Sequence, residues 1–161
     1  METAEDRIAA LEARMRVLED QLELYRLVSS YGPAVDTGSS EAAGSLWTEG
    51  GAYEFDSSRL DGPGEIAAMV RGDGHQSLIH GGCAHVMALP VVEVDGDRAS
   101  ATGYSRVYRH TANGYEVWRV SANHWQFVRT PDGWRVAHRA NRTLDGSPEA
   151  RDILARGISP R

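Results

Sequence analysis

The chain has 161 residues, a net charge of −6 and a pI near 5.5; 41% of its residues are hydrophobic and 25% are charged. These values predict a single folded domain, residues 1–161, and exclude a disordered chain. The acidic balance argues against nucleic acid as a partner, because no basic stripe is present to neutralise phosphates. No apolar run approaches the roughly 20 residues that span a bilayer, so no membrane contact is expected. The lone Cys83 and a charged N-terminus unlike a signal peptide favour a cytoplasmic protein.

The first predicted element is a long helix over residues 3–31. Its apolar residues recur at alternating spacings of three and four, at Ile8, Leu11, Met15, Leu18, Leu22 and Tyr25. Residues 1–18 are predicted to be a helical extension that contacts another subunit, because the other faces of this half are strongly charged. The second half adds Leu24, Leu27 and Val28 and is predicted to pack on the core. A homodimer and a homotrimer both remain open.

The segment SYGPAVD, residues 30–36, follows this helix. Gly32-Pro33 predicts that the helix ends here. Asp36 would then face the negative end of the helix dipole, which is unfavourable for a carboxylate. Either Asp36 is a solvated side chain without a role, or a functional site requires it there.

The remaining elements predict an α+β domain. A short helix is expected over 40–48, a strand over 52–56, a third helix that opens at Asp61-Gly62-Pro63-Gly64, and a glycine-rich loop over 71–84. The period then changes to two, which predicts four strands over 85–94, 98–110, 115–129 and 133–143, joined by hairpin turns. A helical tail is expected within 147–161. Helices followed by antiparallel strands predict a bent antiparallel sheet wrapped around the long helix, with a cavity between them.

His85 is the candidate general base among the six histidines. It follows Gly81-Gly82-Cys83-Ala84 and opens a strand, and side chains at such a strand mouth project into cavities. A histidine base needs a partner that fixes its tautomer and stabilises the imidazolium. Asp36 would be that partner if it points into the same cavity. The alternative is that the two side chains never meet.

Candidate ligand contacts lie on three strands. Ser121, Asn123 and Trp125 share a face of the strand over 115–129, and neutral hydrogen-bonding groups beside aromatic rings suit an organic ligand. Ser121 and Asn123 could equally bond neighbouring backbone. Tyr53 on the strand over 52–56 is assigned to the same lining. In the last strand, residues 135, 137, 139, 141 and 143 are predicted to share one face; Arg139 would clamp an anion or carbonyl if it points inward.

No metal or cofactor is expected. His75, His80 and His85 are spaced by five, which places them on one face of no regular element, and no cysteine pair or carboxylate triad accompanies them. GPGEIAAM, residues 62–69, lacks the preceding buried strand and the third glycine of a dinucleotide loop. A Gly-x-Ser-x-Gly nucleophile elbow is absent.

The order of elements resembles the SnoaL-like branch of the nuclear-transport-factor-2-like (NTF2-like) superfamily of cone-shaped α+β proteins, over roughly residues 15–145. Tyr31 and Asp36 are similar to a Tyr/Asp pair of bile acid 7-alpha-dehydratase. His85, followed by Pro90 and Asp95, resembles the segment that bears the catalytic histidine of that enzyme.

The second half of the chain carries the rest of the resemblance. RTPDGWRVAHR, residues 129–139, resembles the hairpin in which hexachlorocyclohexane dehydrochlorinase places a pocket arginine, although either Arg139 or Arg142 could match it. Ser121 and Asn123 resemble a pair that lines the pocket of scytalone dehydratase. Trp125 departs from the pattern, because this position often holds an acidic residue.

The resemblance implies a cofactor-independent lyase of the dehydratase type that acts on a small hydrophobic cyclic substrate, polyketide-, steroid- or aromatic-like. His85, held by Asp36, would remove a proton beside a carbonyl or a leaving group. Tyr31 would bond a substrate oxygen or protonate the departing hydroxyl, and Arg139 would stabilise negative charge. Arg142 is assigned to substrate binding. An isomerase or cyclase with the same base, and a non-catalytic ligand-binding or partner domain, are the alternatives.

Overall fold

The computed structural model describes residues 3–158. The ends of the predicted N-terminal extension and C-terminal tail, residues 1–2 and 159–161, lie outside the described residues. In chain order the elements are α1 (Ala4–Asp36), α2 (Ser40–Gly44), β1 (Trp47–Phe55), β2 (Ser58–Asp61), α3 (Gly62–Arg71), α4 (Asp73–Gly81), β3 (Cys83–Met87), β4 (Val91–Asp95), β5 (Arg98–Thr111), β6 (Gly114–Thr130), β7 (Gly133–Thr143) and α5 (Pro148–Ala155). No helix among these residues is both long and apolar enough to cross a bilayer.

The strands form one seven-stranded sheet in the order β2-β1-β7-β6-β5-β3, and β4 pairs with the first part of β5, on the same edge as β3. All pairs are antiparallel except β1 with β7, which is parallel. The helix α1 packs against the inner face of this sheet, and α5 covers part of the outer face. The predicted α+β fold, a curved sheet around a long N-terminal helix, is confirmed.

The helix α1 begins with a capping box in which the Thr3 hydroxyl accepts from the Asp6 amide and the Asp6 carboxylate accepts from the Thr3 amide. It then runs through Gly32-Pro33 to Asp36, so the prediction that it ends at residue 31 was wrong. Packing explains the difference. A side-chain carbon at position 32 would lie 2.1 Å from the carbonyl oxygen of His85, so glycine is needed for α1 to touch β3 there.

The two halves of α1 have different surroundings. Leu24, Leu27, Val28, Tyr31 and Val35 are buried, which confirms that the second half is a core helix. The apolar side chains of the first half are more than 40% exposed in the monomer, and these are Ile8, Leu11, Met15, Val17, Leu18 and Leu22.

Three other predictions were wrong in detail. The segment over 71–84 is not a loop: α4 forms there, and the His75 ring nitrogen Nε2 lies 2.8 Å from the carbonyl oxygen of Val35. The strand over 85–94 is two strands, interrupted before Pro90, whose missing amide cannot join a ladder. The short helix ends at Gly44, and Trp47 already belongs to β1.

The pairing register sorts the sheet residues onto two faces. Across the inner face run Met87, Ser105 and Ser121 in one row, and Ala101, Trp125, Arg139 and Tyr53 in another. In β7, Ala137 is an extra residue opposite β6, because Val136 pairs with Phe127 and His138 with Gln126. The predicted face of residues 135, 137, 139, 141 and 143 is therefore wrong, since Trp134 and Val136 are the inward residues before the bulge.

Candidate functional site

The end of α1 and the start of β3 bring His85 and Asp36 together. Nδ1 of His85 lies 2.5 Å from Oδ1 of Asp36, and the backbone amide of His85 donates to Oδ2 at 2.7 Å. The predicted contact between these residues is confirmed. Because an ionised carboxylate only accepts, Nδ1 carries a proton, and Nε2 is the nitrogen of the neutral imidazole that can act as the base.

The charge of Asp36 is maintained by its hydrogen bonds. Burial opposes ionisation, but the donors of His85 and the thiol of Cys83 outweigh it and hold the pKa of Asp36 below its usual value. The thiol donates to Oδ1 over 3.3 Å. Burial, together with this contact and the negative charge, raises the pKa of Cys83 to about 12. Asp36 is thus the ionised member of the group and Cys83 is a neutral donor.

The dyad stays in contact with solvent. The side chain of His85 is 14% exposed and that of Asp36 is 20% exposed. The ring of His75 on α4 lies beside that of His85, with their centroids 5.6 Å apart. A base in this place can take a proton from a bound molecule, because it is neither sealed in the core nor freely solvated.

Arg139 forms a second cluster deeper in the cone. Its side chain is 1% exposed, and its guanidinium carbon lies 4.1 Å from the ring centroid of Trp125, 4.4 Å from that of Tyr31 and 4.5 Å from that of Tyr53. Nε and Nη2 donate to Oδ1 of Asn123 at 3.1 and 2.8 Å. Nη1 is buried without a hydrogen-bond partner among the described residues.

Asn123 connects this cluster with polar side chains of the neighbouring strands β5 and β7. Its amide nitrogen donates to the Ser105 hydroxyl at 2.8 Å, and its oxygen also accepts from the side chain of Asn141. Asn141 and Ser121 in turn accept from Arg119. The polar inner face is therefore satisfied mainly by side chains of neighbouring strands.

Tyr31 belongs to the Arg139 cluster rather than to the dyad. It is 4% exposed and meets Trp47, Tyr53 and Trp125 edge to face. Burial raises its pKa strongly, and the nearby Arg139 charge only partly opposes this shift. Tyr31 is therefore a neutral phenol that can donate one proton to a hydrogen bond but not ionise near neutral pH.

Arg142 is not brought to the site. It pairs in register with Ala122, whose side chain packs under α5 on the outer face of the sheet. Its guanidinium donates to its own strand at the Asn141 carbonyl and approaches Glu54 at 3.5 Å. The predicted contact between Arg142 and a substrate has no support in this geometry, whereas Arg139 faces the interior.

The predicted cavity between helix and sheet is filled around Arg139 by the aromatic side chains described above, each of them at most 7% exposed. Met87 lies between the two clusters. It is two residues from His85 on the same face of β3, and its sulfur is 4.0 Å from Nη2 of Arg139. Methionine is unbranched and readily changes rotamer, so Met87 is the side chain whose movement would join the two clusters.

Asp36, Cys83 and His85 offer three possible metal-ligand atoms within 4.8 Å of one another. Two ligands of one zinc ion stand roughly 3.3 Å apart in tetrahedral geometry. Oδ1 of Asp36 and Nδ1 of His85 are closer, at 2.5 Å, and the raised pKa of Cys83 keeps its sulfur protonated. This spacing fits a shared proton better than an ion.

Sequence reasoning missed Cys83, His75 and Arg119 as neighbours of the site. Because residues 71–84 were predicted to be a loop, the position of His75 on α4 was not expected. Cys83 could have been identified, since it lies two residues before His85 and therefore on the same face of one strand. Arg119 lies across from Val107, which itself lies across from His85, on the inner face of the sheet. Its side chain is 22% exposed and pairs with Asp56 at 2.8 Å, at the open end of the cone.

Comparison with known proteins identifies relatives of the whole chain. The model of the SnoaL-like domain matches residues 16–140. An NTF2-like protein with a cystatin-like fold from Novosphingobium aromaticivorans is 41% identical, with 96% of this chain and 98% of that chain covered and a TM-score of 0.89. Rv3472 from Mycobacterium tuberculosis, a protein of unknown function, is 25% identical over 91% of this chain and 86% of that one, with a TM-score of 0.71. Aln2 from a Streptomyces species shares the fold, with 19% identity over 85% and 94% of the two chains and a TM-score of 0.67. No curated protein sequence matches this chain significantly.

Proposed function

Because the chain belongs to the SnoaL-like family of NTF2-like proteins, we propose that it is a cofactor-independent lyase that eliminates water from a small hydrophobic cyclic substrate, polyketide-, steroid- or aromatic-like. The observation that carries this proposal is the pair formed by Nδ1 of His85 and Oδ1 of Asp36 at 2.5 Å. It supplies an imidazole that is oriented with Nε2 away from Asp36, and a fixed negative charge behind the ring.

In the proposed reaction Nε2 of His85 takes a proton from the carbon beside a substrate carbonyl. The electron pair of the broken C–H bond forms a C=C bond as the bond from the neighbouring carbon to its hydroxyl breaks. The hydroxyl leaves as water when the His85 imidazolium returns the proton. Asp36 stabilises that imidazolium while it exists, which increases the reaction rate by about 10²–10⁴-fold.

Arg139 and Tyr31 would act on the substrate oxygen. Nη1 of Arg139 is a buried donor without a partner among the described residues, and Tyr31 is a neutral phenol beside it. A carbonyl oxygen that gains negative charge during proton removal would be stabilised by both donors once Met87 moves aside. Arg139 is a buried cation without a carboxylate partner among the described residues. This favours a substrate whose oxygen carries negative charge and pairs with the guanidinium.

An isomerase or cyclase is the alternative, because the same base and the same oxyanion donors serve it without loss of water. Cyclic β-hydroxy ketones incubated with the protein in D₂O separate these reactions. The lyase yields the conjugated enone, whereas the isomerase or cyclase incorporates deuterium or rearranges the ring without elimination. The chain would act only as a binding domain if the panel showed neither deuterium incorporation nor product, and the proposal would then fail.

A further inference from the structure

An open cavity of about 400 Å³ lies between α4 and the ends of β5 and β6. Its lining includes Gly74, Ser77, Leu78, Arg109, His110 and Trp118. The register connects it with the site, because Cys83 pairs with Arg109 and His85 with Val107 on one face of the sheet. Arg109, which lines the cavity, thus lies opposite a residue that is about 7 Å along β3 from His85.

Arg109 gives this cavity a specific chemistry. Its Nη2 pairs with Glu116 at 2.7 Å, and its guanidinium lies over the Trp118 ring, 5.1 Å from the centroid. Its Nε is buried without a hydrogen-bond partner among the described residues. An unpaired buried donor costs free energy, and a ligand acceptor removes that cost once the Arg109 side chain, which is 42% exposed, shifts to present Nε.

Trp118 supplies a flat surface beside this donor. It is 49% exposed although it is large and apolar. It lies at an irregularity of β6, because Val107 pairs with Arg119 and Tyr108 with Val117, which leaves Trp118 without an opposite residue. A half-exposed indole in the wall of an open cavity favours a planar ring over a flexible chain.

We propose that this cavity binds a planar aromatic part of the ligand that bears an oxygen acceptor, with the ring against Trp118 and the acceptor at Nε of Arg109. Glu116 already pairs with the Arg109 guanidinium, so the ligand need not be an anion, and a neutral carbonyl or phenol is a sufficient acceptor. The assignment as a substrate subsite rests on the proposed function, whereas binding to the cavity does not. Arg109 and Arg139 then offer donors to ligand oxygens on both sides of the carbon from which His85 removes a proton.

The test compares 2-acetylnaphthalene with 2-ethylnaphthalene, which differ by the carbonyl acceptor, in calorimetric titrations of the full chain. The wild type is expected to bind the acetyl compound about tenfold or more tightly, since a hydrogen bond to a charged donor is worth roughly that factor. Arg109→Met should abolish this preference, and Trp118→Leu should weaken the binding of both compounds. Arg106→Met is the matched control, because Arg106 is exposed and on the other face of β5; it should keep the preference.

An unchanged preference in Arg109→Met would overturn the proposal, and so would failure of both compounds to bind the wild type. Thermal melts of the variants establish that they are folded, and Arg109→Lys, which keeps the charge but lacks Nε, provides a second variant with the same expected loss. His85→Ala should bind both compounds as the wild type does. If the preference depends on Arg109 but no hydroxy ketone turns over, the proposed function fails and the binding site stands.

Discussion

At the scale of single residues, the unusual feature of this protein is a pair of buried hydrogen-bond donors that have no acceptor among the described residues. Asp36 and His85 satisfy one another, but Nη1 of Arg139 and Nε of Arg109 are buried without acceptors among the described residues. Folded proteins rarely leave buried donor atoms unpaired, because each costs about 1–3 kcal/mol. Two of them on either side of one acid–base pair indicate a place shaped for another molecule.

Arg139→Met tests whether the buried charge serves function rather than stability. Burial of the guanidinium is costly, and the three ring contacts and the Asn123 oxygen only offset that cost. We therefore expect the free energy of unfolding in urea to change by less than about 1 kcal/mol, while turnover falls about 10²–10³-fold.

Arg129→Met is the control for that measurement. Arg129 binds Asp20 through two nitrogens at 2.9 and 2.8 Å and lies over the Trp134 ring, so it joins α1 to the sheet. Its loss should lower stability by about 1.5–3 kcal/mol and leave turnover per folded molecule unchanged. A larger loss of stability in Arg139→Met than in Arg129→Met would contradict the interpretation of Arg139.

At the scale of elements, the site depends on how closely α1 approaches β3. Gly32 and Asp36 lie one helical turn apart on the face of α1 that meets β3, and both contact His85: Gly32 touches its carbonyl and Asp36 binds its ring and amide. The unfavourable position of a carboxylate at the end of a helix is thus offset by two donors from the neighbouring strand.

Gly32→Ala should separate these elements. The added methyl group would lie 2.1 Å from a backbone oxygen, so α1 or β3 must shift. We expect the free energy of unfolding in urea to fall by about 1–3 kcal/mol. The NMR signal of the ring proton between His85 and Asp36 should disappear. Gly64→Ala is the matched helical control, because nothing lies within 4 Å of the added carbon; it should be neutral or slightly stabilising. Equal behaviour of the two variants would argue against the close approach.

The packing of α5 on the outer face should depend on pH. His124 is 8% exposed and its Nδ1 lies 3.0 Å from the Thr102 hydroxyl, which is near the end of α5. Burial lowers the pKa of His124, and the charges of Arg156 and His138 lower it further. The unfolded chain therefore binds a proton first as the pH falls below about 6.5, and the stability present above this value is lost as the pH falls toward the lowered pKa of the folded state.

His124→Asn removes this titration and keeps a polar atom near Thr102. The midpoint of thermal unfolding should fall between pH 7.5 and pH 5.5 by a larger amount in the wild type than in the variant, with each kcal/mol corresponding to about 2–4 °C for a chain of this size. An equal fall in both proteins would show that other groups cause the pH dependence.

How far the sequence predicts this structure differs between elements. The period of two and the turn residues define β5, β6 and β7 almost to the residue, and the motif around His85 predicts its contact with Asp36. The helix α4 was not predictable, because its glycines favour a loop and only tertiary contacts such as the one between His75 and Val35 stabilise the helix. The choice between Arg139 and Arg142 depended on the bulge at Ala137, which no local pattern marks.

At the scale of the whole molecule, the first half of α1 extends an apolar seam into solvent. Ile8, Leu11, Met15 and Leu18 are 56–63% exposed and recur at heptad spacing. A contiguous exposed seam of this kind is typical of a surface that another helix covers. We propose a homo-oligomer, a trimer by family resemblance, in which this seam lies against the same seam of other copies.

Leu11→Glu combined with Leu18→Glu should dissociate the assembly, because charges would enter the seam at two successive positions. Ala10→Glu adds the same charge to an exposed position outside the seam and should have no effect. Sizing with light scattering at micromolar concentration gives the mass directly. A wild-type chain that runs as a monomer would contradict this proposal, and deletion of residues 1–18 should weaken the assembly while the sheet stays folded.

The most direct test of the acid–base dyad is a mutant cycle on turnover of a hydroxy ketone, with His85→Ala, Asp36→Asn and the double variant. His85→Ala should reduce turnover to background while the ligand still binds. Asp36→Asn should lower turnover about 10²–10⁴-fold, because the imidazolium loses its negative partner. Since the two residues act as one unit, the double variant should be no slower than His85→Ala alone. Losses that multiply in the double variant would show that His85 and Asp36 work independently and would contradict the mechanism.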